Sequence, residues 1–182
     1  MLGFFESTVD SLPSNDYNKY DIGLIFEVSM DDRREINRFV NIYCRLRDRQ
    51  RAVYDRCAKR HGLTVNELFV LDILWFSSEG CTQKELCWRL STNKQTIAAI
   101  AGKFLKNAYI TFEEVEKDRR CKRIRFTQKG LQYAGEVIPA AARAENIAMA
   151  KLNVTTAAEL VRLTEIFTKN MEIAFAETEE QK

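Results

Sequence analysis

Glycine and proline are scarce in this 182-residue chain, at seven and two, and histidine occurs once. So few turn residues argue against a β-sandwich or barrel, and against a Pro/Gly-rich linker protein. A single histidine leaves little of the commonest metal ligand and general base, and no Cys-x-x-Cys spacing is present. Five cysteines without that spacing fit neither a disulfide framework nor a zinc ribbon, so no metal and no cofactor is expected. Neither a Gly-rich phosphate loop nor Gly-x-Ser-x-Gly occurs, which points away from an enzyme. No apolar run approaches membrane-spanning length, and residues 1–6 lack the basic and apolar regions of a signal peptide. These absences leave a cytoplasmic, mostly helical protein with no membrane partner.

What is present is charge, unevenly placed. Residues 31–60 hold ten Arg or Lys against five acids, and residues 91–130 hold ten against four. Residues 1–30 carry one Lys against five acids. The densest run is Lys117-Asp118-Arg119-Arg120-Cys121-Lys122-Arg123-Ile124-Arg125. Cations concentrated in this way suit a polyanionic partner, although a solvated charged face has the same composition.

Helical periodicity dominates the rest. Ser29 and Asp32 form an N-cap signature for a long helix whose apolar positions Ile36, Phe39, Val40, Tyr43, Leu46, Val53, Tyr54 and Cys57 share a stripe, with Gly62 as its stop. Such a helix packs on another long helix, from the same chain or from a second subunit. Thr64-x-x-Glu67 is a capping box opening a segment apolar nearly all round (Leu68–Leu71, Ile73–Phe76), suited to the centre of the domain. Thr82-x-x-Glu85 is a second box, starting a short helix with Leu86, Cys87 and Leu90. Ser91-Thr92-Asn93 then makes a tight turn, and Asn93 caps a helix that buries Ile97, Ile100, Ala101, Phe104 and Leu105. Two short helices joined in this way are a helix-turn-helix.

Alternation follows directly. Ile110 and Phe112 share one strand face, Ile124 and Phe126 share another, and Arg123 and Arg125 lie opposite them, with a charged tip between. Helix, turn, helix, hairpin is the order of a winged helix. Thr127 caps the next helix, in which Pro139 should kink or break the ladder. Thr156-x-x-Glu159 opens a last helix with Leu160, Leu163, Phe167, Met171 and Ala174 on one face, and the acidic end from Glu177 should fray.

The stretch Asp118–Gly130 resembles the wing motif of MarR-family regulators: an Asp-x-Arg tip, an alternating strand, and a Thr-x-x-Gly helix start. Thr82–Asn107 is similar to that family's helix-turn-helix, and the resemblance spans roughly residues 35–175. It implies an obligate homodimer held by the first and last two helices, acting as a DNA-binding transcriptional regulator. Family members commonly release DNA on binding a small molecule or on cysteine oxidation. The implied organisation is an acidic extension at 1–30, a helical dimerisation region at 31–61 and 129–178, and a winged helix-turn-helix at 62–128. Ser91 and Ala108 stand where the family often has Gly, which would shift the left-handed position to Asn107. Ala99 replaces a polar or Arg residue, and residues 1–30 have no counterpart.

On this reading the helix starting at Lys94 leads with its N-terminus into the major groove. Gln95 suits an adenine edge, Lys94 a guanine or phosphate, and Thr96 a thymine methyl. Ala98 and Ala99 allow close approach, and Lys103 is a candidate phosphate contact together with Lys106. Arg120, braced by Asp118 and flanked by Arg119, Lys122 and Arg123, is the residue for a narrow minor groove. A symmetric dimer places two such helices on a pseudo-palindromic duplex. Cys121 is the candidate redox site, since neighbouring cations favour the thiolate. Cys44, Cys57, Cys81 and Cys87 sit on or beside apolar helix positions as small hydrophobes. Cys57 and His61 are spaced i, i+4, but two ligands make no metal site. The alternatives are a winged helix used for protein contacts, and a regulator that senses thiol oxidation at Cys121.

Overall fold

The computed structural model describes residues 29–115 and 118–180, excepting the side chains of residues 30, 115, 118–121, 179 and 180. The acidic extension therefore falls outside the described residues apart from its end. Helices α1 (Met30–Arg60), α2 (Val65–Trp75), α3 (Gln83–Arg89), α4 (Lys94–Lys106), α5 (Gln128–Ala150) and α6 (Asn153–Glu180) alternate with strands β1 (Cys81–Thr82), β2 (Ile110–Val115) and β3 (Asp118–Phe126). The class is mostly α with a small β wing, as the sequence indicates. The chain divides into two compact units, 1–53 and 54–182, with the division inside α1.

In the first unit the described residues are the start of α1. Ser29 Oγ accepts from the Asp32 amide at 3.2 Å and donates to Asp32 Oδ2 at 2.7 Å, the cap the sequence announces. Ile36, Phe39, Val40, Leu46 and Val53 are exposed along this helix.

In the second unit α2 is central. Both capping boxes form, with Glu67 and Glu85 accepting from the amides of Thr64 and Thr82. The Thr82 amide also holds the Glu85 carboxyl below its usual pKa. The core is made of Leu68 and Leu71 of α2, Leu86 of α3, Ile97 and Phe104 of α4, Ile110, Ile124, and Ile138 of α5, among others. Leu105 and Phe76 depart from expectation, being 46% and 65% exposed. Leu105 lies beyond the inward arc of Ile97, Ile100, Ala101 and Phe104, and Phe76 is already the C-cap of α2.

The sheet order is β1-β3-β2, antiparallel throughout. Ile110 pairs with Phe126 and Phe112 with Ile124, so the expected alternation holds. β1 is a third strand that periodicity does not reveal. It holds Cys81, beside the start of α3, as a buried small hydrophobe opposite Ile124. Two residues are too few to show a period of two.

Three helices end in the same hydrogen-bond pattern, with a left-handed residue in the middle. For α1 the bonds are Leu63 N–H to Ala58 O and Gly62 N–H to Lys59 O, with Gly62 at φ +68°. For α3 they are Thr92 to Cys87 and Ser91 to Trp88, with Ser91 at +46°. For α4 they are Tyr109 to Phe104 and Ala108 to Leu105, with Ala108 at +55°. The left-handed residue after α4 is thus Ala108, and Asn107 stays at φ −82°. The Schellman geometry requires left-handed backbone at that position whatever residue occupies it.

The start of α5 explains the Thr-x-x-Gly pattern. Thr127 Oγ1 donates to Ala108 O at 2.6 Å and accepts from the Gly130 amide at 3.0 Å. A Cβ at Gly130 would overlap the Tyr109 carbonyl oxygen, so only glycine fits. Pro139 does not break α5, which continues to Ala150. Helix α6 starts three residues before the expected box, with Asn153 Oδ1 accepting from the Thr156 amide at 3.0 Å, and continues to Glu180, past the expected fraying point.

An L-residue in left-handed backbone costs about 1 kcal/mol, partly offset by the unfolded-state entropy of glycine. Ala108→Gly is expected to stabilise the protein by about 0.5–1 kcal/mol in urea unfolding, and Gly130→Ala to destabilise it by more than about 2 kcal/mol.

Candidate nucleic-acid interface

The face of α4 that does not pack on the core carries Lys94, Gln95, Ala98, Ala99 and Gly102, all exposed. Asn93 Oδ1 accepts from the Thr96 amide at 2.8 Å, which starts the helix and leaves Thr96 half-buried behind the cap. The side chains of Lys94 and Gln95 make no hydrogen bond or ion pair with other described residues. Ala98, Ala99 and Gly102 keep the middle of this face low, and a Cβ built on Gly102 meets nothing within 4 Å. The result is a flat helix face with polar reach at its N-terminal, partly positive end.

Lys103 is placed differently from its neighbours. Its ammonium lies 2.7 Å from Glu67 Oε1 and 2.9 Å from Oε2. Glu67 is the buried member of the α2 capping box, 5% exposed. Sequence reasoning sees this residue only as a cap. The available signal is a carboxylate inside a segment otherwise apolar, which needs a cation from elsewhere.

The wing is anchored at its base by arginines. Arg123 Nη1 donates to Gly80 O at 3.2 Å, and Arg125 Nη2 reaches Glu79 Oε2 at 2.9 Å. The buried Arg125 Nε stands 2.8 Å from Glu113 Oε2, an ion pair without hydrogen-bond geometry. Gly80, at φ +70°, packs so tightly that a Cβ would overlap Ile124 O. Glu79 is a second residue that sequence reasoning passes over. Lys122 is exposed and stands opposite Glu114. Beyond it the register shifts, with Val115 opposite Asp118, so Arg119, Arg120 and Cys121 fall in the irregular part of the hairpin. The side chains of Asp118, Arg119, Arg120 and Cys121 lie outside the described ones.

A shallow cleft of about 230 Å³ lies under the wing base, lined by Leu74, Trp75, Ser77, Arg125, Phe126 and Leu131 among others. Elsewhere in this unit a polar group joins several helices. Burial first, then a hydrogen bond to Glu145 of α5, pushes the Tyr54 hydroxyl of α1 up to about 12. Burial, reinforced by Glu145, raises the Asp72 carboxyl of α2, and Arg89 of α3 opposes the rise. Arg89 Nη1 also reaches Ser77 Oγ at 3.3 Å. Among the described residues no cluster of His, Cys, Asp and Glu could hold a metal, and no helix is long and apolar enough to cross a membrane.

Helix, turn, helix and a hairpin on a three-stranded sheet define a winged-helix domain, with α4 as the second helix of the helix-turn-helix. Residues 61–120 match the model of the MarR family. No curated protein sequence matches the chain. A MarR family regulator from Neisseria meningitidis has a TM-score of 0.64 at 22% identity, covering 79% of this chain and 96% of its own. The MarR transcription regulator of Oenococcus oeni gives 0.60 at 19%, over 75% of this chain and 98% of its own. MepR of Staphylococcus aureus, solved as a complex with DNA, gives 0.60 at 15%, over 72% and 97%. This chain therefore has the winged-helix fold of those regulators, and its residues 61–120 are similar to the MarR family.

The raised Asp72 pKa has a signed consequence. Its ionised form is disfavoured in the fold, so it costs stability above the folded pKa, and the cost fades as pH falls through that value. Asp72→Asn should melt higher than the parent at pH 7, with the difference closing as pH drops through the carboxylate range. Thermal unfolding monitored by circular dichroism at pH 7, 5 and 4 checks this.

Proposed function

We propose that this protein is a homodimeric DNA-binding transcriptional regulator, with α4 read into the major groove and the wing tip set in the minor groove. The observation that carries the reading is the outer face of α4. Among the described residues it is free of side-chain partners at Lys94 and Gln95; it is low at Ala98 and Ala99, and presented beside an Arg-rich hairpin on a fold shared with a DNA-bound relative. Gln95 serves as a bidentate partner for adenine, Lys94 for guanine or phosphate, and Thr96 for a thymine methyl. Lys122 contacts backbone phosphate, and Arg120, with Arg119 and Asp118, enters the minor groove. Arg123 contributes from the wing base, where it is already tied to Gly80 O.

The second copy is supported by exposed apolar surface. Ile36, Phe39, Val40, Leu46 and Val53 on α1 line one stripe, and Leu160, Leu163 and Ile166 on α6 form another. Apolar faces of this length are covered in a stable protein, and a second copy of the same helices covers them here. A small-molecule effector in the cleft under the wing would act through Arg125, which lines the cleft and holds the wing base.

A duplex selected from a randomised pool, titrated by fluorescence anisotropy across a salt series, tests the reading. The parent is expected to bind in about the nanomolar range with a steep salt dependence. Arg120→Ala should weaken binding and flatten the slope by about one, as for one lost phosphate-region cation. Gln95→Ala should instead lose about 1–3 kcal/mol at one base position with the slope intact. Weak binding that is indifferent to sequence and to both substitutions would overturn the proposal in favour of a protein partner. Leu163→Glu, followed by sedimentation velocity, is expected to turn the dimer into monomer at low micromolar concentration.

A further inference from the structure

The packing of α4 against the domain core is apolar on one side, through Ile97, Ile100, Ala101 and Phe104. Apolar contact is non-directional, so it fixes which face of the helix is inward more firmly than where the helix sits along its axis. One directional contact adds to it. Glu67, at the N-terminal turn of α2, holds Lys103 through both carboxylate oxygens, at 2.7 and 2.9 Å.

The carboxylate is not needed for the cap it makes. A capping box works with Gln as well as Glu at the third helical position. The charge on Glu67 is therefore an addition, placed where the residue is 5% exposed and where an unpaired anion is strongly unfavourable. Glu85, in the same position of the second capping box, is exposed and has no such constraint. If Lys103 swung out to a phosphate, Glu67 would be left buried without a cation, with the Thr64 amide as its remaining partner.

We infer that Glu67 is a positioning residue for DNA reading, acting through Lys103, which anchors α4 to α2 and does not touch DNA. The inference rests on the regulator reading above. Lys103 lies nine residues beyond Lys94, about 13 Å along the helix, so a small shift at the anchor moves the reading end relative to the bases. The same region carries supporting contacts. Lys129 donates to Asn107 O at 3.0 Å, and Tyr109 stacks on Tyr133 with centroids 4.4 Å apart. These fix the exit of α4, while Glu67 fixes the last turns of the helix itself.

The test compares Glu67→Gln, Lys103→Met and the double variant, each against the selected duplex and a scrambled one across a salt series. Glu67→Gln keeps the capping box, so α2 still has its start. Each single variant is expected to lose about tenfold in affinity for the selected duplex, and the double variant no more than either single. Affinity for scrambled DNA and the salt slope should stay at parental values. A structural defect alone would lower both affinities in proportion to the unfolded fraction, read by circular dichroism, and would overturn the inference. It is also overturned if Lys103→Met weakens both duplexes and lowers the slope by about one while Glu67→Gln is silent, the pattern of a phosphate contact. Parental affinity in all three variants overturns it too. A parent protein that binds neither duplex overturns the regulator reading itself, and this inference with it.

Discussion

Two residues, Cys81 and Thr82, carry the connection between the wing and the helix-turn-helix. Cys81 pairs with Ile124 in the middle strand β3, and Thr82 is at once the end of β1 and the N-cap of α3. No linker separates sheet from helix. The geometry holds because Gly80 lets the chain pass against the Ile124 carbonyl, and because Arg123 and Arg125 tie the preceding turn to the wing. The wing is therefore built onto the same rigid body as the reading helix. The direct readout and groove insertion proposed above would need such a fixed relation.

Energetically the second unit depends on a small, densely buried set of residues contributed by nearly every element. Leu71, Leu86, Ile97, Phe104, Ile110, Ile124 and Ile138 are all fully buried, and each comes from a different helix or strand apart from the pair in α4. Among the described residues Arg125 Nε is buried with only its ion pair to Glu113, while the other buried side-chain polar atoms of this body are hydrogen-bonded. Glu67 has Lys103 and the Thr64 amide, and the Thr127 hydroxyl has one donor and one acceptor on either side. The left-handed Ser91 and Ala108 are the exceptions to local economy. They are held in place by helix-ending hydrogen bonds and the packing that follows.

Much of this was legible in the residues because the signals are local. Thr64 with Glu67, Thr82 with Glu85, and Asn93 each act within one helical turn, and Ile110, Phe112, Ile124 and Phe126 alternate over enough residues to show their period. Features that depend on distant partners were not. β1 is too short for a pattern, and it exists because β3 is beside it. Lys103 looks like any surface lysine until Glu67, thirty-six positions earlier, is brought under it. Leu105 reads as core by composition, yet lies past the buried arc of its helix. At Ala108 the residue type points the wrong way, since the left-handed turn comes from the hydrogen-bond pattern and not from a glycine.

Pro139 sits where the burial of α5 ends: Ala134, Val137 and Ile138 are in the core, and Pro139 is exposed. Its ring nitrogen cannot donate to the Gly135 carbonyl, so the helix lacks one rung at that level. A helix with a missing rung bends there at lower cost than elsewhere along its length. The stem that leaves the winged body thus has its softest joint at the body's edge. In a two-headed assembly that joint works like the pivot of a pair of callipers. In the dimer proposed above it would let the gauge between the two α4 helices adjust to the pitch of the duplex without disturbing the packing of either head.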